Sequence, residues 1–107
     1  MAISDEEIAF IHDLFADLGE ITTRKMFGGL GIYHAGTIFA IKMSDGSIKL
    51  KGIGAMADTF EAEGWKPWRY TRNDGAQSSM PYWDMPESLL DDPGEACTWA
   101  RRALAHL

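Results

Sequence analysis

Three histidines, one cysteine and a late run of carboxylates are the side chains of this 107-residue chain best suited to chemistry. A metal site needs several donors converging, and spacings such as His-x-x-x-His or Cys-x-x-Cys are its usual trace. His12, His34 and His106 lie far apart, and Cys97 has no second cysteine, so no metal site is expected. Cys97 also lacks an adjacent histidine or basic residue. An activated thiolate needs such a neighbour, and a packed, inert thiol is expected instead. Glu87, Asp91, Asp92 and Glu95 form an acidic cluster, without the companion nucleophile or oxyanion donors that acid–base catalysis would use. Asp92-Pro93-Gly94-Glu95 reads instead as a second capping box with proline at its favoured first helical position. Gly28-Gly29-Leu30-Gly31 has neither dinucleotide-fold nor P-loop spacing, and a strand pattern follows where a helix would be needed. Gly28, Gly29 and Gly31 are therefore read as a structural motif marking a bulge or a close approach of backbones. No catalytic residue and no cofactor are expected; the chain does not read as an enzyme.

Binding is the chemistry left open. Trp65, Trp68, Tyr70, Tyr82, Trp83 and Trp99 crowd the second half of the chain. Trp68, Tyr70, Tyr82 and Trp99 are expected to wedge a sheet against helices. Trp65 and Trp83 are expected to be exposed and to mark a partner surface. Lys42, Lys49, Lys51 and Arg69 fall on one face of a sheet if strict alternation holds, and join that surface. Two alternatives accompany a protein partner. One is a small ligand held between sheet and helices beneath Phe39, Trp68 and Tyr70, and the other is nucleic acid on the basic sheet face.

These residues are positioned by a readable set of elements. Ser4, three residues before Glu7, is a capping box, with Asp5 and Glu6 adding charge to the first turn. Ile8, Ile11, Phe15 and Leu18 follow at helical spacing, with Phe10 and Leu14 widening the face and Gly19 as the stop. From Thr22 the period becomes two. Thr22–Gly28 and Leu30–His34 read as one sheet segment, broken or bulged at Gly28-Gly29. Ala35-Gly36 is a turn, Thr37–Ser44 a strand, Asp45-Gly46 a primed hairpin turn, and Ser47–Lys51 a strand. Ala55–Glu63 reads as a helix and Pro67–Arg72 as a strand. A polar loop runs from Asn73 to Ser78, and Ser79–Trp83 is its partner strand, placed at an edge because Pro81 lacks an amide hydrogen. Ala96, Trp99, Ala100, Ala103, Leu104 and Leu107 face the core from a last helix. The result is a two-layer α+β domain over residues 1–107, with about five antiparallel strands and helices on one face, in the order helix, three strands, helix, two strands, helix.

Composition narrows the partners. The net charge is −6, whereas nucleic-acid binders are usually basic because phosphate neutralisation supplies much of their affinity. Direct nucleic-acid binding is thus disfavoured. No apolar run approaches the roughly 18 residues of a membrane span, and the acidic N-terminus does not resemble a signal peptide. A single cysteine suits a reducing compartment. A cytoplasmic protein without membrane association is expected.

Three blocks carry a resemblance to a known family. The first is Arg24-Lys25-Met26-Phe27-Gly28-Gly29-Leu30-Gly31-Ile32-Tyr33 with Gly36-Thr37-Ile38-Phe39-Ala40. The second runs from Leu50-Lys51 through Phe60 to Pro67-Trp68-Arg69-Tyr70. The third is Met80-Pro81-Tyr82-Trp83-Asp84-Met85-Pro86 with Asp91-Asp92-Pro93 and Trp99-Ala100-Arg101-Arg102-Ala103. Together they resemble the TfoX N-terminal domain, the amino-terminal half of the TfoX/Sxy regulators of bacterial competence. The resemblance implies a secretion-chaperone-like fold and a role as regulator or co-regulator of transcription through partner proteins. It implies no enzymatic activity and carries no residue-level site. Longer members have a second, C-terminal domain; this chain ends at Leu107 and is expected to act as a stand-alone N-terminal domain. The expected function is a non-catalytic protein-interaction module with an unidentified protein partner, a homodimer being one form of it.

Overall fold

The first helix forms where its capping signals place it. In the computed structural model, which describes residues 3–26, 29–71, 74–75 and 77–107, α1 spans Asp5–Leu14. The Ser4 hydroxyl accepts from the Glu7 amide at 3.2 Å, and the Glu7 carboxylate accepts from the Ser4 amide at 3.4 Å. Ile11, Leu14 and Phe15 are buried, while Phe10 stays largely exposed. A short 3-10 turn over Ala16–Leu18 ends at Gly19.

The following elements are β1 (Ile21–Met26), β2 (Gly29–His34), β3 (Thr37–Lys42), β4 (Ile48–Lys51), α2 (Ala55–Ala62), β5 (Pro67–Thr71), β6 (Gln77–Asp84) and α3 (Pro93–Leu104). The six strands form one antiparallel sheet in the order β1-β2-β3-β4-β6-β5. The architecture is the expected α+β one, with four strands rather than three before α2. The extra strand arises because the segment read as one, broken or bulged, forms two strands that pair with each other, Met26 opposite Gly29 and Ile21 opposite His34. Gly28 and its neighbour Phe27 lie outside the described residues. Gly29 and Gly31 are buried where other groups come very close. A Cβ on Gly29 would stand 2.6 Å from the Lys42 carbonyl oxygen. On Gly31 it would meet the Met26 sulfur at 2.6 Å.

The two hairpin turns exchange the expected roles. Ala35 (φ 50°) and Gly36 (φ 83°) are both left-handed, the backbone of a two-residue primed turn between His34 and Thr37. Asp45-Gly46 instead belongs to a three-residue connection. The Met43 amide donates to Ser47 O at 2.8 Å and the Gly46 amide to Met43 O at 3.0 Å. The Asp45 carboxylate accepts from the Ser47 amide and hydroxyl at 2.9 and 2.7 Å. That capture of the backbone selects the longer turn.

A bulge reassigns the faces of β3. Ile32 pairs with Ala40 and Tyr33 with Ile38, leaving Phe39 as the extra residue. Phe39 and Ala40 are both fully buried, and the Phe39 ring meets Phe15 edge-on at 5.3 Å. Beyond the bulge the alternation is inverted, so Lys42, opposite core residues Leu30 and Ile48, lies on the helix-covered face.

Pro81 was expected on an edge strand, but β6 lies between β4 and β5. The ladder shows how the interior proline is tolerated. The Gly52 amide donates to Pro81 O at 3.0 Å. In a hydrogen-bonded antiparallel pair, residue 81 would return an amide to the Gly52 carbonyl. That carbonyl accepts from the Trp83 indole Nε1 at 3.2 Å instead. On the other side, the β5–β6 register shifts between Pro67 and Arg69, an irregularity of the kind that accommodates proline.

The core lies between the sheet and the three helices. The aromatic residues divide between the two sides of the sheet. Phe60 of α2 stacks on Trp65 at 4.3 Å and lies 6.2 Å from Trp83 and 5.8 Å from Trp99 of α3. Trp68 and Tyr82, expected in this core, pack together at 6.4 Å on the opposite, helix-free face. Their position follows from Lys49, which faces away from the buried Ile48 and Leu50 and sets its Nζ 5.9 Å from the Trp68 ring centre. α3 is capped by the Asp92 carboxylate, which accepts from the Glu95 amide at 3.2 Å. Its C-terminal half is tied back by Arg101, which donates to the Asp17 carbonyl at 2.6 Å.

Candidate protein-interaction site

Three of the six residues expected at a partner surface meet at one groove. Trp65, Trp83 and Arg69 line a hollow of about 430 Å³ together with Gly52, Ala57, Glu61, Pro67, Met80 and Pro81. α2 supplies one wall through Ala57 and Glu61, the connection from α2 to β5 supplies Trp65, and β5 supplies Pro67 and Arg69. β6 supplies Met80, Pro81 and Trp83. Gly52 gives the floor its depth, since a Cβ there would stand 2.5 Å from the Phe60 ring and 3.2 Å from Trp83. Trp83 is half-buried, and Arg69 and Glu61 are exposed at the rim. The groove combines apolar walls with one cation and one anion.

The other expected site residues are placed differently. Trp65 is not exposed: only 6% of its surface remains accessible, because it closes the aromatic stack of Phe60 and Trp99. Lys42 is buried, its Nζ donating to Gly46 O at 3.4 Å and lying 6.0 Å from the Phe10 ring centre. The β3 bulge put it there. Lys49 remains on the helix-free face but is also buried, bonded to the Asp84 carboxylate beneath Trp68. Of these four cations, Lys51, half-buried, and Arg69, exposed, leave a basic group near solvent. The four cations therefore do not make one continuous basic face.

Phe39 and Trp68, expected to cover one ligand space, are separated by the sheet. Phe39 is sealed against Phe15 on the helix side, whereas Trp68 is on the other side of the sheet, so the two do not line a common cavity. The Tyr70 side chain lies outside the described residues.

The remaining groups are quiet. Cys97 is buried, its thiol donating to Leu14 O at 3.3 Å, and burial raises its pKa. Burial, then the neighbouring Tyr33 phenol, raises that of Tyr82. The Ser47 amide and hydroxyl hold the Asp45 carboxyl below the usual carboxylate range. His34 Nε2 lies 3.1 Å from Leu18 O, while His12 and His106 are exposed. Among the described residues no three His, Cys, Asp or Glu side chains gather as a metal site would need, and no helix is long and apolar enough to cross a membrane.

The groove residues missed in the sequence had a signal. Trp65-Lys66-Pro67 and Pro81-Tyr82-Trp83 are mirror-image spacings, and residues two apart on a strand share a face. Pro67 is paired with Trp83, so the register brings the two motifs together.

The fold is an antiparallel sheet roofed on one side by helices, with an aromatic and proline-lined groove beside α2. The TfoX N-terminal domain matches residues 13–107, and the chain belongs to that family, one of regulatory domains rather than known catalysts. Among curated relatives it is similar to the DNA transformation protein TfoX1 of Aliivibrio fischeri (strain ATCC 700601 / ES114), with 22% identity over 108 residues covering 97% of this chain and 51% of that protein. The chain thus spans about half the length of this relative.

Proposed function

We propose that this domain is a non-catalytic protein-interaction module that contributes to regulation of transcription by engaging a partner protein at the groove beside α2. Membership of the TfoX N-terminal domain family supports a regulatory role. The observation that carries the interaction reading is the convergence of Trp65, Trp83 and Arg69 on a single groove with Pro67, Met80 and Pro81. Aromatic side chains and arginine dominate protein interfaces because they combine large contact area with directional polar groups. Affinity capture from the host cell tests it, using the native chain beside Arg69→Glu. The native chain is expected to retain a defined protein that Arg69→Glu loses by about tenfold or more, in line with the loss of an interface anchor. Equal recovery by both chains removes the groove as the site. Turnover of a small molecule by the purified domain overturns the non-catalytic reading.

A further inference from the structure

β1 is an outer strand of the sheet and pairs with β2 alone, in six unbroken antiparallel pairs from Ile21–His34 to Met26–Gly29. Its other side meets no strand among the described residues. An edge of this kind accepts an added strand unless proline, a bulge or charge prevents it. At the opposite edge, β5 begins with Pro67 and its ladder is irregular up to Arg69. β1 contains no proline and its ladder contains no bulge. Its guards are Arg24 and Lys25, adjacent and therefore on opposite faces of the strand, both exposed. Neither has an ion-pair partner among the described residues.

These two cations stand on a chain of net charge −6. Laying a second copy of β1 alongside the first would bring two dibasic stretches together, and like charges across a strand pair are destabilising. An acidic strand meets the opposite sign. A hollow of about 330 Å³ lined by Glu20, Thr22, His34, Ala35 and Gly36 opens at the Ile21 end of the same hairpin, leaving room for a flanking side chain.

We propose that β1 is a docking edge for an extended acidic segment of a protein partner, added as a seventh strand with carboxylates beside Arg24 and Lys25. The proposal rests on the reading of the domain as an interaction module, but it uses a surface separate from the groove beside α2. Main-chain hydrogen bonds would supply attachment, and the dibasic pair would select the sign of the partner.

Titrating the isotope-labelled chain with two synthetic peptides, followed by amide NMR shifts and hydrogen exchange, tests it. One peptide carries adjacent glutamates within a valine- and threonine-rich strand; the other carries lysines in their place. The glutamate peptide is expected to shift and protect the β1 amides and to weaken as salt rises. Arg24→Glu/Lys25→Glu is expected to lose about tenfold or more in affinity for it, the scale of two exposed charge pairs reversed, and to prefer the lysine peptide. Should that variant unfold, Arg24→Gln/Lys25→Gln is expected to abolish the preference between peptides without reversing it. Equal binding of both peptides by the native chain, shifts confined to Trp83 and its groove, or no binding would overturn the proposal. So would concentration-dependent protection of β1 without peptide, which identifies a second copy as the occupant. Shifts confined to the groove would leave the module reading intact, whereas equal capture of a protein by the native chain and Arg69→Glu would remove the groove and spare the edge.

Discussion

β1 and β5 are the outer strands of one sheet, and they are held by different means. β1 continues a regular ladder whose inner neighbour, β2, approaches β3 closely through Gly29, and Gly31 of β2 is packed by the side chains of Met26 from β1, of Tyr33, and of Ile38 from β3. β5 is joined by an irregular ladder, and the region beside it is consolidated from the helix side by the Phe60–Trp65–Trp83–Trp99 cluster. Backbone regularity can define one end of a sheet while side-chain packing defines the other. The difference also separates two binding possibilities, since a regular edge offers hydrogen bonds and a packed, proline-lined border offers a groove.

The largest expected effect tests the packed end. Phe60→Ala removes the ring that links Trp65, Trp83 and Trp99, and should cost about 3–5 kcal/mol in urea unfolding, the usual range for a buried phenylalanine. A loss below about 1 kcal/mol would mean that the aromatic cluster is incidental to this half. The regular end has its own test in Gly29→Ala, which sets a methyl group against the Lys42 carbonyl. Backbone must move to admit it, so a loss of about 1–3 kcal/mol is expected. Gly31→Ala should cost less, because the nearest atom belongs to the flexible Met26 side chain. An inverted order would show that Met26 is as fixed as the strand.

The proline border can be tested by its substitute hydrogen bond. Trp83→Phe keeps most of the ring but leaves the Gly52 carbonyl without its indole donor, and should cost about 1–2 kcal/mol. Pro81→Ala restores an amide at that point and should recover part of the loss in the Trp83→Phe background. Additive losses in the double variant would refute this exchange of donors. A smaller effect of opposite sign is expected at the β2–β3 turn. Ala35 is held left-handed, and Ala35→Asn should stabilise the chain by up to about 1 kcal/mol, read as a higher melting temperature.

The smallest effect appears with pH. Cys97 and Tyr82 have raised pKa values in the folded chain, so the fold favours their protonated forms. The Cys97 contribution is complete below its unfolded value of about 8.5, and that of Tyr82 below about 10. Each is lost as pH rises through the folded value. The urea midpoint should therefore start to fall above about pH 8.5. Cys97→Ala should be less stable at neutral pH yet show a flatter alkaline decline.

Legibility in the sequence followed the range of the interactions. The Ser4 and Asp92 caps involve residues three apart; the Ser4 box formed as read, while at Asp92 the side-chain cap formed with a single bond, from the Glu95 amide. The glycine-rich stretch announced close packing, and Gly29 and Gly31 show it. Lys42 was misplaced because one bulged residue, Phe39, inverts every side chain beyond it. Trp65 was misplaced because its burial depends on Phe60 and on Trp99 from a helix much later in the chain.

The sequence alone determined the helix caps, the change of period from helix to strand, the α+β class and the family resemblance, because each is written in residues near one another or in their overall pattern. The tertiary structure decided that residues 21–34 pair with themselves and that β6 is interior. It also decided which tryptophans share a groove and which strand is left as a regular edge. Those outcomes depend on register and on contacts between distant segments, and a single shifted residue is enough to turn a side chain from one face of the sheet to the other.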